Sequence, residues 1–285
     1  MTSPTGPARY VDLHMHSTAS DGSRAPADVV RAARDAGLAA IALTDHDTVA
    51  GLPEAQHVGA EIGVRIVNGV ELSAVEGDTE THVLGLHLQD LSVLDRGLGA
   101  LREMRQRRAA RIVERLNELG VQVSLADVLT EAGEGALGRP HVARVMVAAG
   151  WATDFRDAFD RYLGAGKPAF VGKDQLSMSD AIAMIHDAGG LAVLAHPGWA
   201  GTRERIEALA ALGLDGVEVK HPGHSASDTA RLKGIVELLG LVPSGGSDWH
   251  GAAEGARTIG MMNVPSDWLA LQDSRLAARA GTAAR

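Results

Sequence analysis

Ala39-Ala40-Ile41-Ala42-Leu43-Thr44-Asp45-His46-Asp47 is an apolar run that passes, without a spacer, into acids and a histidine. The apolar part has the length of a buried parallel strand and no polar alternate residues. Polar clusters at the C-terminal ends of such strands are where βα barrels build their active sites. Working outward, the same unit recurs. Tyr10 to Met15 alternates and carries His14 and His16. Pro26 to Ala36 is helical and stops at Gly37. Leu52–Ile62 is the next helix, and Val64 to Val70 is a strand ending at Glu71. Thr81 to Leu88 is a strand with His82 near its start.

From Ser92 to Leu163 the pattern changes. Leu94, Leu98, Leu101, Ile112, Leu116 and Leu119 recur at helical spacing, with shorter helices expected at Leu125–Ala132, His141–Ala149 and Thr153–Tyr162. Alternation resumes with a strand at Ala169–Val171. Strands at Leu191–Ala195, Gly216–Lys220 and Leu241–Pro243 then alternate with helices at Ser179–Ala188, Thr202–Leu212 and Ser227–Leu239. Strand–helix alternation predicts an α/β fold with a parallel sheet. About seven such units fit a closed or nearly closed barrel, with a doubly wound open sheet as the competitor. The expected organisation is a barrel over 10–91 and 166–271, a helical insertion over 92–165, and flexible tails at 1–9 and 272–285.

Composition limits the chemistry. The 285 residues include 12 histidines and no cysteine. That excludes thiolate zinc sites, iron–sulfur clusters, disulfides and a cysteine nucleophile. Any metal must be held by imidazole and carboxylate. With 27 basic and 36 acidic residues the net charge is −9, which argues against a duplex-DNA binder. Neither an apolar stretch of membrane-spanning length nor a secretory signal is evident, so a cytoplasmic location is expected. Phosphate-cradling G-x-x-x-x-G-K-[ST], G-x-S-x-G and G-x-G-x-x-G loops are absent.

His14 and His16, two apart on a strand, share a face and suit one cation. Two unrelated surface histidines would be the plain alternative. The set His14, His16, Asp21, His46, Glu71, His82, His196, Asp248 and His250, nearly all at strand ends, is harder to dismiss as scattered polar groups. It exceeds the four to six ligands of one ion and suits two or three. Imidazole with carboxylate favours manganese, zinc or iron(II) over calcium or magnesium alone. Paired ions are suited to in-line phosphoryl displacement by a hydroxide. Arg139, His141 and Lys173 are candidates to bind substrate phosphate, and His221 or His224 to protonate the leaving oxygen. Taken alone, each reads first as a cap, salt-bridge or loop residue. The Arg-rich stretch Leu101–Arg115 reads first as a solvated helix face and second as a guide for an oligonucleotide. His57, His87 and His186 have no proposed role.

Asp12-Leu13-His14-Met15-His16-Ser17, Thr44-Asp45-His46-Asp47, Gly69-Val70-Glu71, His82-Val83-Leu84-Gly85, Ala195-His196-Pro197 and Ser247-Asp248-Trp249-His250 together resemble the polymerase and histidinol phosphatase (PHP) family of metal-dependent phosphoesterases. The resemblance implies a distorted seven-stranded βα barrel with two or three metal ions. It implies that His14, His16, Glu71 and Asp248 hold one ion, that Glu71, His82 and His196 hold a second, and that Asp21, His46 and His250 hold a third. The helical insertion with Gly138-Arg139-Pro140-His141-Val142-Ala143-Arg144 is similar to a subgroup of 3′,5′-nucleoside bisphosphate phosphatases, whose relatives trim short RNA from its 5′ end. Removal of the 3′-phosphate from a small nucleotide is therefore the expected activity. Exonucleolysis of short RNA, hydrolysis of histidinol phosphate or a cyclic nucleotide, and a non-catalytic metal module are the alternatives. Lys220-His221-Pro222 and Gly172-Lys173 depart from the subgroup's pattern and bear on base or sugar recognition.

Overall fold

A computed structural model describes residues 10–77, 79–133, 137–172, 176–252 and 257–283. Residues 1–9 and Lys173 lie outside them. The described residues fall into two compact units, divided between Asp95 and Arg96 and again between Gln175 and Leu176. Among them no helix is long and apolar enough to cross a membrane.

The first unit is built on one sheet. Its strands are β1 (Tyr10–Asp12), β2 (Ala40–Leu43), β3 (Arg65–Glu76), β4 (Thr79–Leu86), β5 (Leu191–Leu194), β6 (Gly216–Lys220), β7 (Val242–Gly245) and β8 (Val264–Pro265). They lie in the order β7-β6-β5-β4-β3-β2-β1-β8, a nearly closed barrel of eight strands rather than seven. The extra strand is two residues long and contains a proline, so no periodicity announces it.

The sheet is also not wholly parallel. β1–β2–β3 and β5–β6–β7 are parallel ladders, but β4 runs antiparallel to both neighbours and β8 antiparallel to β1. β3 continues to Glu76, reverses through Gly77 at φ 62°, and returns as β4 without a helix. The reversal puts the start of β4 beside the C-terminal ends of its neighbours, which brings His82 opposite Ser73.

Closure occurs beyond the ends of β1 and β7. Leu13 N donates to Gly245 O at 3.1 Å, Asp248 N to His14 O at 2.9 Å, and His16 N to Trp249 O at 3.0 Å. The two chains approach so closely that a Cβ at Gly246 would sit 2.3 Å from His14 Cβ. At the other end, β8 pairs with β1, and Lys220 Nζ donates to Met262 O and Asn263 O at 3.1 and 2.8 Å. With aromatics at 3% of the chain, small aliphatics fill the core. Val11, Leu13, Ala40, Ala42, Leu84, Leu86, Val193 and Ala195 are buried at alternate positions of their strands.

Helices α1 (Pro26–Asp35), α2 (Leu52–Ile62), α7 (Met178–Asp187), α8 (Arg203–Ala211) and α9 (Ala226–Leu239) connect the strands. Ser177, Thr202 and Ser225 cap the last three, each hydroxyl accepting a backbone N–H of the first turn. The stretch from Gln272, expected as a flexible tail, instead forms most of α10 (Ser266–Ala283). Polar anchors hold it down. Fully buried Gln272 donates to Pro243 O at 2.8 Å, and Asp273 takes Arg65 through two bonds of 2.8 and 2.6 Å.

Helix α3 (Leu91–Glu118) leads into the second unit, which holds α4 (Leu125–Ala132), α5 (Arg139–Ala148) and α6 (Phe155–Ala158), the last running into a π-turn at Phe159–Leu163. Its own core includes Ile112, Leu116, Val128, Val142, Met146 and Leu163. The strand expected at Ala169–Val171 does not form. Its carbonyls are taken by arginines of α3, Arg108 Nε donating to Val171 O at 3.0 Å and Arg115 to Phe170 O.

Closure through Gly246 predicts a steep local sensitivity. Gly246→Ala should cost about 2–3 kcal/mol through overpacking against the His14 backbone. Gly234→Ala, on α9 with open space around its Cβ, should be neutral or stabilising by less than about 1 kcal/mol. Thermal melts of the two variants against the parent check this.

Candidate metal centre

The site forms where the strands end. Isolated pairing of His46 with Glu71 extends the β2–β3 ladder past Leu43, with Asp47 N donating to Glu71 O at 2.9 Å. Barrel closure brings His14 and His16 to Asp248. The reversed β4 supplies His82, and β5 runs into His196.

Glu71 is the centre, 1% exposed. Its Oε2 lies 3.1 Å from His14 Nε2, 3.2 Å from His16 Nε2 and 3.5 Å from His46 Nε2. Its Oε1 lies 2.8 Å from His82 Nδ1 and 3.0 Å from His196 Nε2. Asp248 Oδ1 approaches His16 Nε2 and His14 Nε2 at 3.1 and 3.5 Å. Asp21, half-exposed, faces His250, His16 and His46 at 3.2, 3.6 and 3.8 Å. Ligand-capable atoms thus gather in three groups: His14, His16, Glu71, Asp248; His46, Glu71, His82; and His16, Asp21, His46, His250. His196 stands outside these groups but reaches the same Glu71 oxygen as His82.

The donor chemistry fits divalent cations. Both ring nitrogens of buried His16 lack a hydrogen-bond partner, although carboxylate oxygens crowd them. Three imidazoles on one carboxylate oxygen are more than proton sharing needs. Lone pairs converging on a common point are what two or three cations would satisfy.

The electrostatics agree. Burial by itself would raise the Glu71 carboxyl, but His14 above all, with His16 and His196, holds it well below the usual range. Burial depresses His14, yet Glu218 and Glu71 more than reverse this and raise it well above an ordinary imidazole. His82 is raised by Glu71 against its burial, and His250 by Asp21. Burial works against ionised Asp21, but His250 and the neighbouring imidazoles bring it down to about 2. His46 is lowered, mainly by burial.

Outer residues hold the ligands in place. Glu218, 0% exposed, accepts from His14 Nδ1 at 3.1 Å and from the His196 backbone N–H at 2.7 Å. Sequence reasoning passed over it, although a lone acid between Val217 and Val219 on a buried strand is a visible signal. Asp45 accepts from Ser17 N, Ser17 Oγ and Ser20 Oγ, each at 2.7 Å, and pins the loop before Asp21. Asp12 accepts from Ser247 N at 2.9 Å and Gly260 N at 2.8 Å. Arg257 pairs with Asp248 Oδ2, and nothing in its sequence context distinguishes it from a surface arginine. His196 and Asp248 adopt φ of 29° and 50°, a left-handed conformation that costs a non-glycine residue about 1–3 kcal/mol.

The other expected site residues separate. His221 is buried, its Nε2 3.3 Å from Asp248 Oδ2 and its Nδ1 accepting Gly223 N–H at 3.0 Å. His224 is tied to backbone at both nitrogens, accepting Gly198 N–H at 3.1 Å and bonding Val219 O at 3.0 Å. Burial lowers it, as suits a neutral ring. In the second unit, His141 Nδ1 accepts Gly138 N–H at 3.1 Å at the start of α5. Arg139 donates to Leu163 O at 3.0 Å and lies over the rings of Phe159 and Phe170, 5.6 and 5.2 Å from their centroids.

A barrel that gathers acids and imidazoles this way is the framework of a metal-dependent hydrolase. The PHP domain model matches residues 12–164, and the chain belongs to that family of metal-dependent phosphoesterases. It is 37% identical over 257 residues to a 3′,5′-nucleoside bisphosphate phosphatase of Chromobacterium violaceum, covering 88% of this chain and 90% of that one. It is 35% identical to a 5′-3′ exoribonuclease of Haemophilus influenzae, covering 84% and 89%. A solved structure of a candidate metal-dependent phosphoesterase from Bifidobacterium adolescentis superposes with a TM-score of 0.73 at 34% identity, covering 94% of this chain and 97% of that one.

Cation binding must displace protons from the raised imidazoles His14, His82 and His250, whereas lowered Glu71 and Asp21 stay ionised through pH 6. Apparent manganese affinity should therefore fall from pH 8 to pH 6, with proton uptake on metal release; calorimetry in two buffers measures both. Glu218→Gln should weaken binding about 10–100-fold without touching a direct ligand.

Proposed function

We propose that the protein is a phosphomonoesterase that removes the 3′-phosphate of a nucleoside 3′,5′-bisphosphate, as from adenosine 3′,5′-bisphosphate to AMP. The observation that carries the phosphoesterase reading is Glu71, whose two oxygens face two different imidazole sets. A carboxylate so placed suits a bridge between two ions. The substrate follows from similarity to the bisphosphate phosphatase along nearly the whole of both chains. Manganese is the first choice of ion, with zinc or iron(II) compatible with the donors.

His14, His16, Glu71 and Asp248 would hold one ion, Glu71, His82 and His196 a second, and Asp21, His46 and His250 a third. When bound, such ions supply an activated water and Lewis acidity toward phosphoryl oxygens. The chain's own task is to fix the ligands. Glu218 orients His14 and the His196 backbone, and His221 orients Asp248. With Nδ1 of His221 accepting Gly223 N–H, its proton sits on Nε2, beside the ligand cluster. The Nε2–H already faces Asp248 Oδ2 at 3.3 Å, so His221 is our choice to protonate the departing 3′-oxygen on the condition that this proton passes from the carboxylate to the substrate. His224, committed to backbone at both nitrogens, is a positioning residue.

Similarity to the Haemophilus exoribonuclease supports a second reading, 5′-to-3′ trimming of short RNA. The same ligands would serve both.

Manganese-loaded protein should release phosphate from adenosine 3′,5′-bisphosphate, and the His14→Ala/His16→Ala double variant should not. Equal release by both would remove the proposal. His221→Gln should lower kcat by about 10²–10⁴ if it donates the proton. Mononucleotide release from a 5′-phosphorylated RNA oligomer, without phosphate release from the bisphosphate, would favour the second reading.

A further inference from the structure

Trp199 is 84% exposed, more than any other large apolar side chain among the described residues. An indole held in water contributes little to the fold. It nevertheless stands three residues after His196 and lines a cavity of about 480 Å³ that His82 and His196 also line.

The backbone beneath it is fixed from several sides. Arg231 donates to Gly198 O at 2.8 Å and to Gly201 O. His224 takes Gly198 N–H, and Arg205 Nη1 donates to Ala200 O at 3.4 Å. A Cβ at Gly201 would meet Leu232 Cδ2 at 2.7 Å, so the turn is also packed down. A fixed turn under an exposed aromatic ring keeps its Cα in place, so binding has only the side-chain rotamer to order.

Charge selects what it contacts. Glu76 and Glu80 line the same cavity, and Arg205 is already paired with Glu76 at 2.8 Å. That wall disfavours a second phosphate and suits a neutral π-system. We propose that Trp199 is a specificity-determining residue, the surface on which the heterocyclic base of the substrate stacks while its phosphate lies at the ligand cluster. The assignment rests on the nucleotide phosphatase reading and assigns its base subsite.

The test uses full-length, manganese-loaded protein with Trp199→Phe and Trp199→Leu. Substrates are adenosine 3′,5′-bisphosphate and the same ribose bisphosphate lacking a base. Trp199→Leu should lose about tenfold in kcat/KM on the adenosine substrate through KM, with Trp199→Phe largely restoring it. The abasic substrate should be cleaved equally by all three. Equal losses on both substrates, or none on either, overturn the proposal. Calorimetric binding of AMP and ribose 5-phosphate separates this from failure of the phosphatase reading. If the parent releases no phosphate, that reading falls. Stacking then stands if Trp199→Leu weakens AMP alone and falls if both ligands bind the variants as they bind the parent.

Discussion

A carboxylate buried among imidazoles on both of its oxygens constrains everything around it. Removing Glu71 from water costs several kcal/mol unless its charge is matched. The matching groups, His14, His16, His46, His82 and His196, come from parts of the chain far apart in sequence. The adjacent β1–β2–β3 ladder carries His14 and His16 to it, barrel closure adds Asp248, and the reversed β4 brings His82. The topology is the arrangement in which that charge is answered. Gly246 belongs to the closure that adds Asp248, because a side chain there would push the segment after β7 away from His14.

The convergence of His14, His16, Asp21, His46, Glu71, His82, Asp248 and His250 was the legible part. Polar residues at the ends of apolar strands stand out against their neighbours, and the structure gathers those residues. Strand direction was not legible. β3 and β4 differ from a parallel pair only in a short turn at Gly77, and a β-strand's side-chain alternation is the same in either direction. β8 was too short to show a period. α10 was obscured by its Ala/Arg-rich sequence, since what anchors it are Gln272 and Asp273, whose partners lie far away in the chain. Glu218 was not legible among the strand-end acids because its carboxylate sits mid-strand, where it meets His14 Nδ1 and the His196 N–H.

Some of the backbone strain lies at the cluster, although His87 and Asn263 also take positive φ away from it. His196 and Asp248 both take left-handed backbone conformations, and each has a partner that holds it there. Glu218 takes the His196 N–H, and the closure bond from Asp248 N to His14 O fixes the other. Unfavourable backbone angles persist where surrounding bonds determine them. The next turn, Gly198 to Gly201, is held equally firmly from Arg231, Arg205 and His224.

The helical unit uses its cations differently. Arg108 and Arg115 donate to carbonyls of Val171 and Phe170, and Arg139 lies over two aromatic rings while donating to Leu163 O. These contacts give the Arg-rich stretch and the Gly138-Arg139-Pro140-His141 motif a structural function that periodicity alone did not reveal. Anchoring by a carbonyl and two rings therefore accounts for Arg139 within the packing of the second unit itself.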